Sequence, residues 1–272
     1  MMINHLKTNV LKLQETFFLL IKNPIYLLVP VLIDLLFLLS IGAAGSYILA
    51  KAIPFLERFA TMNTASLDIN SLSNSDMSSF ISQTAEKTFL SNQVLIIFAE
   101  FAIVLLVLLI VFQGLNWLLA AKLIKNKISL KNHFLNFSIS SLIGFIMALI
   151  AAILLFRTML GNLLNQNNIM ANFIVNILFL IVSSLLFYFL FIAYSISGSY
   201  KTLDFLKKVF SLGIKDFKNI ISAYFLLIII FMIASCIIRL FTNPILIFAY
   251  GIIIIMPLLA FSRTYLIKII EK

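Results

Sequence analysis

Six long apolar segments constrain this sequence more than any other feature. Hydropathy places them at residues 24–49, 93–120, 137–157, 171–196, 220–241 and 245–264. Each is about as long as the roughly 20-residue helix that crosses a bilayer. The chain is 62% hydrophobic and only 11% charged, and a soluble fold could not bury that much apolar surface. We therefore predict an all-α, polytopic membrane bundle with six transmembrane helices.

Helices are favoured over strands because backbone groups in hydrocarbon must find their hydrogen bonds internally, which excludes an open sheet. A β-barrel would show short segments of alternating polarity, and the run "IVLLVLLIVF" (103–112) shows none. We expect a single integral membrane domain over residues 1–272. Within it we predict an interfacial helix at 1–23 and an extracytoplasmic, partly helical loop at 50–92.

Two parts of that loop carry helical patterns. The stretch "SDMSSFISQTAEKTFL" (75–90) has an N-cap candidate at Ser75 and apolar residues at helical spacing. The stretch "AIPFLERFATM" (52–62) could be its partner. We predict a small external helical hairpin lying over the spans.

The placement of basic residues predicts the orientation in the membrane. Most of the 20 lysines and arginines fall before span 1, after span 2, after span 4 and in the C-terminal tail, to which we assign Arg263. Positively charged loops stay in the cytoplasm. We therefore expect a multi-pass cell-membrane protein with both termini cytoplasmic. This distribution also explains the net charge of +10 without a nucleic-acid partner.

Three of the basic segments have apolar residues at helical spacing: residues 4–21, 125–137 and 200–219. In the first, Leu6, Val10, Leu13 and Phe17 predict an apolar face opposite a polar face that includes Asn9. Such helices suit the headgroup boundary, where lysines attract anionic lipid. The predicted headgroup-binding residues are Lys7, Lys12, Lys122, Lys125, Lys127, Lys207, Lys208 and Lys215.

Asp34 is the one carboxylate near the middle of a predicted span. Because it lies about ten residues into span 1, a rise of ~1.5 Å per residue puts it ~15 Å deep. Ionised acids at that depth are costly and usually face an interior or a wet cavity. Asp34 could therefore be a proton or cation site, or a protonated or hydrogen-bonded acid that joins helices. We expect no opposite charge at its depth, and so favour the second interpretation.

Other polar residues also lie within the spans. Glu100 is close in depth to Arg157 and Arg239, so it could pair with either, on a substrate path or as a structural tie. Gln113 and Asn116 lie near the inner end of span 2, where amides commonly hydrogen-bond a neighbouring helix.

No catalytic or metal-binding motif is apparent in the sequence. His5 and His133 have no second histidine or cysteine nearby. We therefore expect a protein that is not an enzyme and has no cofactor.

Three segments carry a resemblance to known proteins. They are "FLLIKNPIYLLVPVLIDLLF", "KVFSLGIKDFKNIISAYF" and "PLLAFSRTYLI". Together they resemble uncharacterised prokaryotic six-helix membrane protein families, which are distantly similar to the membrane domain fused to some glycerophosphodiester phosphodiesterases. The resemblance implies a helical bundle with interfacial helices. It implies no activity, because the hydrolase domain of the fused relatives is absent from this chain.

Two functional hypotheses follow from the sequence, and a third ranks below them. The first is a non-enzymatic scaffold or accessory protein that interacts with membrane lipids, anionic ones among them, or with a membrane-protein partner. The second is a small transporter or permease component with Asp34 as an intramembrane proton or cation site. The third is a membrane-embedded enzyme acting on lipid, which would need a second polar catalytic group near Asp34 or Glu100.

Overall fold

A computed structural model describes residues 2–65, 76–125, 128–164 and 169–271, and these residues form helices without any strand. Two short π-helical segments, Leu109–Gln113 and Gly251–Ile255, interrupt the α-helices. The α-helices are α1 (Met2–Lys22), α2 (Ile25–Ala65), α3 (Asp76–Leu108), α4 (Gly114–Ile124), α5 (Leu130–Leu164), α6 (Ile169–Ile196), α7 (Thr202–Lys215), α8 (Phe217–Ile238), α9 (Pro244–Tyr250) and α10 (Met256–Ile270).

Six helical stretches of the described chain are long and apolar enough to cross a membrane, which confirms the predicted all-α polytopic bundle. The predicted boundaries differ most at three spans. The first continues nine residues beyond residue 49, the third begins seven residues before residue 137, and the last continues six residues beyond residue 264. The stretches are Ile25–Arg58, Thr88–Ile124, Leu130–Ala151, Asn176–Ile196, Phe217–Ile238 and Pro244–Ile270.

The chain divides into two compact units. The first comprises Met1–Leu35 and Leu109–Lys272, and the second comprises Leu36–Leu108. The core of the first unit is aromatic. Tyr194 stacks on Phe137 with ring centroids 4.4 Å apart and lies 5.7 Å from Trp117. Apolar residues from α1, α4, α8 and α10 complete this core.

The second unit is a pair of helical segments with a small core of Ile48, Ala52 and Ile97. Residues 52–62 and 76–90 are helical, as their patterns indicate. However, they continue α2 and α3 rather than forming a separate hairpin over the spans. An ion pair of 2.5 Å joins Arg58 to Glu86. Ser75, the predicted N-cap, lies outside the described residues.

Helix α1 packs against α8 and α10. Part of its predicted polar face is buried in this contact, which corrects the prediction for that face. Asn9 is fully buried, and its Nδ2 donates to the Asn219 carbonyl at 2.9 Å and to Ser222 Oγ at 2.5 Å. The Tyr265 hydroxyl donates to the Asn9 carbonyl at 3.2 Å. Thr16 is also buried. Polarity alone is a poor guide to the exposed face of α1, because an amide whose hydrogen bonds are satisfied by neighbouring helices can be buried where helices meet.

The predicted interfacial helix at 125–137 is wrong for the described part of this segment. Helix α5 begins at Leu130 and runs directly into the third span. His133, Asn136 and Phe137 are fully buried in the first unit. The first two are polar, and their hydrogen bonds described below explain why the bundle accepts them.

Candidate functional site

The principal site is a buried ion pair between α2 and α10. Arg263 Nη1 lies 2.9 Å from Asp34 Oδ2, and Arg263 Nη2 lies 2.9 Å from Asp34 Oδ1. Asp34 is 4% exposed and Arg263 is 7% exposed. This is the two-pronged geometry in which a guanidinium binds a carboxylate most strongly.

Two amides of the second span complete the polar cluster, which we define as Asp34, Gln113, Asn116 and Arg263. Gln113 Nε2 donates to Asp34 Oδ1 at 3.0 Å, and Asn116 Nδ2 donates to the same oxygen at 2.7 Å. Gln113 Oε1 accepts from Arg263 Nη2 at 2.9 Å. Asp34 therefore accepts four hydrogen bonds from N–H donors, two from Arg263 and one from each amide.

Local helix geometry places the two amides. Gln113 is the last residue of a π-helical segment, and Asn116 follows three residues later in α4. Side chains three residues apart lie on the same face of a helix. The Oδ1 atom of Asn116 is buried without a hydrogen-bond partner. Short π-helical insertions are frequent at functional sites, but this one serves here to aim two amides at a single carboxylate.

The pairing with Arg263 overturns the expectation that no opposite charge reaches the depth of Asp34. Arg263 had been assigned to the cytoplasmic tail because hydropathy ended the last span at residue 264. In the structure α10 continues to Ile270, so Arg263 lies seven residues before its end, or ~10 Å along the helix. The charge is inside the bundle, where its partner neutralises it.

The predicted pairing of Glu100 with an arginine also differs from the pairing in the structure. Glu100 Oε2 lies 2.6 Å from Lys51 Nζ in the second unit, and both side chains are close to half exposed. Arg239 is exposed at the end of α8, and the side chain of Arg157 lies outside the described residues. Lys51 was missed because it was assigned to a loop, whereas α2 continues past it.

A second buried polar group surrounds His133. Its Nε2 lies 2.9 Å from the Gly114 carbonyl, and its Nδ1 lies 2.7 Å from Ser197 Oγ. Asn136 Nδ2 donates to the carbonyls of Ser197 at 2.8 Å and Tyr200 at 2.9 Å. These contacts join α5 to α4 and to the end of α6. Sequence analysis left His133 without a role, although its three-residue spacing from Asn136 signals a shared helical face.

Lys125 forms an internal ion pair rather than facing headgroups. It pairs with Glu271 and donates to the Ser195 carbonyl at 3.0 Å and to Ser199 Oγ at 2.7 Å. Burial lowers the pKa of Lys125, and the hydrogen bond and charge of Glu271 oppose that shift. The pair ties the end of α4 to the C-terminal residues.

The remaining predicted headgroup lysines fall into two groups. Lys7, Lys122, Lys207 and Lys215 are exposed. Two others contact the protein. Lys12 donates to the Lys268 carbonyl at 3.2 Å, and Lys208 lies 5.5 Å from the centre of the Tyr200 ring. Lys127 lies outside the described residues.

Within the part of the chain that the structure describes, no three His, Cys, Asp or Glu side chains are grouped to hold a metal ion. The chemistry of the polar cluster is that of a closed, charge-neutral tie between α2, α4 and α10. No family model, curated protein or solved structure matches the chain. The resemblance to prokaryotic six-helix families therefore stays a prediction.

Proposed function

We propose that this integral membrane protein is a non-enzymatic scaffold or accessory protein that interacts with anionic membrane lipids at its cytoplasmic face. The observation that carries the proposal is the way α1 and α7 dock. Each helix is fixed to the bundle along one side, and each exposes large apolar residues and lysines on the other. This combination is typical of helices that lie in a membrane interface.

In α1, the docked side consists of Asn9, Thr16 and Leu20. The other side leaves large apolar residues and Lys7 exposed. A helix with that many exposed apolar groups is stable only where hydrocarbon covers them. The exposed apolar residues of α1 are Leu6, Val10, Leu11, Phe17, Phe18 and Ile21.

In α7, Phe205 and Val209 are buried against α6. Leu203, Phe210 and Ile214 face away, and Leu203 is 96% exposed. These apolar residues are interspersed with the exposed Lys207 and Lys215. Lysines beside an apolar stripe can reach lipid phosphates while the stripe enters the acyl region.

A transporter that uses Asp34 as a proton or cation site is the weaker proposal. All four hydrogen bonds to this carboxylate come from other side chains, and Arg263 already neutralises its charge. Substrate or ion binding would have to break a buried ion pair, whose loss costs several kcal/mol. This proposal requires that Asp34→Asn abolish flux in a protein that still folds.

The proposed function is tested by lipid enrichment. The purified protein is reconstituted into nanodiscs that contain equal amounts of phosphatidylglycerol and phosphatidylcholine, and the lipids that remain bound after detergent transfer are counted by native mass spectrometry. We expect phosphatidylglycerol to be enriched. Replacing Lys7 and Lys207 with glutamine should reduce the enrichment. Equal retention of the two lipids by the wild-type protein would contradict the proposal.

A further inference from the structure

We propose that the cleft between α6, α7 and α8 binds one anionic phospholipid. This inference rests on the proposed function and assigns it a specific site. The cleft has a volume of about 690 Å³. We call it the α7–α8 cleft. It is lined by Leu185, Tyr188 and Phe189 of α6 and by Gly213, Ile214, Lys215, Asp216, Phe217, Lys218 and Asn219.

The floor of the α7–α8 cleft is apolar. The Tyr188 ring packs edge-on against Phe189 and Phe217, with centroids 5.2 and 5.8 Å apart. Its hydroxyl donates to the Gly213 carbonyl at 2.7 Å, so the polar end of the tyrosine is already bonded to protein. The surface that remains is hydrocarbon, suited to an acyl chain or a glycerol backbone.

The rim of the cleft is cationic. Lys215 is the last residue of α7 and Lys218 the second residue of α8, and both side chains are exposed. Asp216 lies between them and contributes one opposing charge. The positive end of the α8 dipole and the negative end of the α7 dipole meet at this turn and oppose each other. The two ammonium groups exceed the single carboxylate, so the rim complements a phosphate.

The apolar part of the lining favours a lipid over a free anion. Leu185, Ile214 and Phe217 border the cleft and are exposed. A soluble phosphate would contact the lysines and leave these side chains uncovered. A phospholipid covers both parts at once, because its phosphate meets the rim and its chain meets the floor. The occupant we assign is therefore a phospholipid with a net negative headgroup.

The test compares variants of equal charge in detergent, titrated with phosphatidylglycerol and followed by native mass spectrometry. Lys215→Gln with Lys218→Gln should weaken binding of the first lipid by roughly tenfold to thirtyfold, at about fivefold per lysine. The matched control is Lys131→Gln with Lys201→Gln. It removes two exposed lysines that do not line the cleft, and we expect it to bind the first lipid like the wild type.

A third variant, Leu185→Trp, fills the cleft without changing its charge and should also weaken binding of the first lipid. It keeps the test decisive if the double lysine variant does not fold. An equal loss of lipid binding in the two double variants would show that the lysines attract anionic lipid without a defined site. That result would overturn the proposed cleft site and leave the proposed function intact. Unchanged binding in Leu185→Trp would overturn the cleft as well. No preference of the wild type for phosphatidylglycerol would overturn both proposals.

Discussion

Arg263 holds Asp34 through two hydrogen bonds of 2.9 Å, across 229 positions of sequence. The pair joins the first span to the last, and Gln113 and Asn116 bring in the second. A buried ion pair does not necessarily stabilise a fold relative to apolar residues. Removal of one partner, however, leaves the other charge buried and unpaired. The polar cluster therefore specifies how three helices meet.

The first prediction concerns this pair. Arg263→Gln or Asp34→Asn should lower the free energy of unfolding by about 3–5 kcal/mol, because each leaves one buried charge unpaired. The double variant should recover part of that loss, since two neutral amides can hydrogen-bond each other. Denaturant titrations in detergent, followed by the fluorescence of the single tryptophan, Trp117, measure all three variants.

The control for this cycle is Arg239→Gln. Arg239 is exposed at the end of α8, so its loss should change the free energy of unfolding by less than about 0.5 kcal/mol. Additive effects of the two single variants at the pair would count against a direct interaction between Asp34 and Arg263.

The second prediction concerns the pH dependence of stability at Lys125. Burial lowers its pKa from the ordinary value of 10.5, so the unfolded chain binds the proton more tightly than the folded one. Stability therefore rises with pH between the lowered pKa and 10.5, where the unfolded state alone still holds that proton. The melting temperature of the wild type should increase relative to that of Lys125→Met as the pH is raised through this window.

The variant Glu271→Gln provides a second test of the pH dependence at Lys125. Glu271 raises the pKa of Lys125 through its hydrogen bond and its charge. Without that carboxylate the pKa of Lys125 should fall further, and the rise in stability should begin at a lower pH. A wild-type stability that falls relative to Lys125→Met over the same range would show that the sign is wrong.

The all-α fold and the number of spans were predictable from the sequence, because both depend on hydropathy and length alone. The polar cluster was only half predictable. Asp34, Gln113 and Asn116 are marked by polarity within apolar runs. Arg263 is not, because a charge near the end of an apolar run looks the same as the first residue of a cytoplasmic tail. Only the contact between Arg263 and Asp34 distinguishes these two cases.

The docked faces of α1 and α7, which we propose to lie at the membrane interface, show a second limit of sequence analysis. In α1 the buried side includes Asn9 and the exposed side includes Phe17 and Phe18, which inverts the usual rule for soluble proteins. In a membrane the apolar side faces lipid, and small polar residues can join helices. Hydrophobic periodicity predicts a helix in both cases, but it does not say which side meets the protein.

The third prediction compares two helical glycines. A Cβ atom at Gly213 would lie 2.6 Å from Cε1 of Phe189, whereas one at Gly42 would meet no atom within 4 Å. Gly213→Ala should lower the free energy of unfolding by about 1–3 kcal/mol, because the phenyl ring and α7 must separate. Gly42→Ala should be neutral or stabilising by up to ~1 kcal/mol, since alanine favours the helix. Equal effects in thermal unfolding would show that α7 is not closely packed on α6.

The last prediction concerns orientation in the membrane. Lys268 Nζ lies 2.8 Å from Glu15 Oε2, so α1 and the C-terminal helix end on the same side of the first unit, as an even number of spans requires. The lysines on this side should keep it in the cytoplasm. In a Cys236→Ser background, an impermeant maleimide should label Arg239→Cys on intact cells. It should label Lys7→Cys and Lys122→Cys only after the membrane is opened. The reverse pattern would place the basic helices outside the cell, and with them the proposed lipid-binding face.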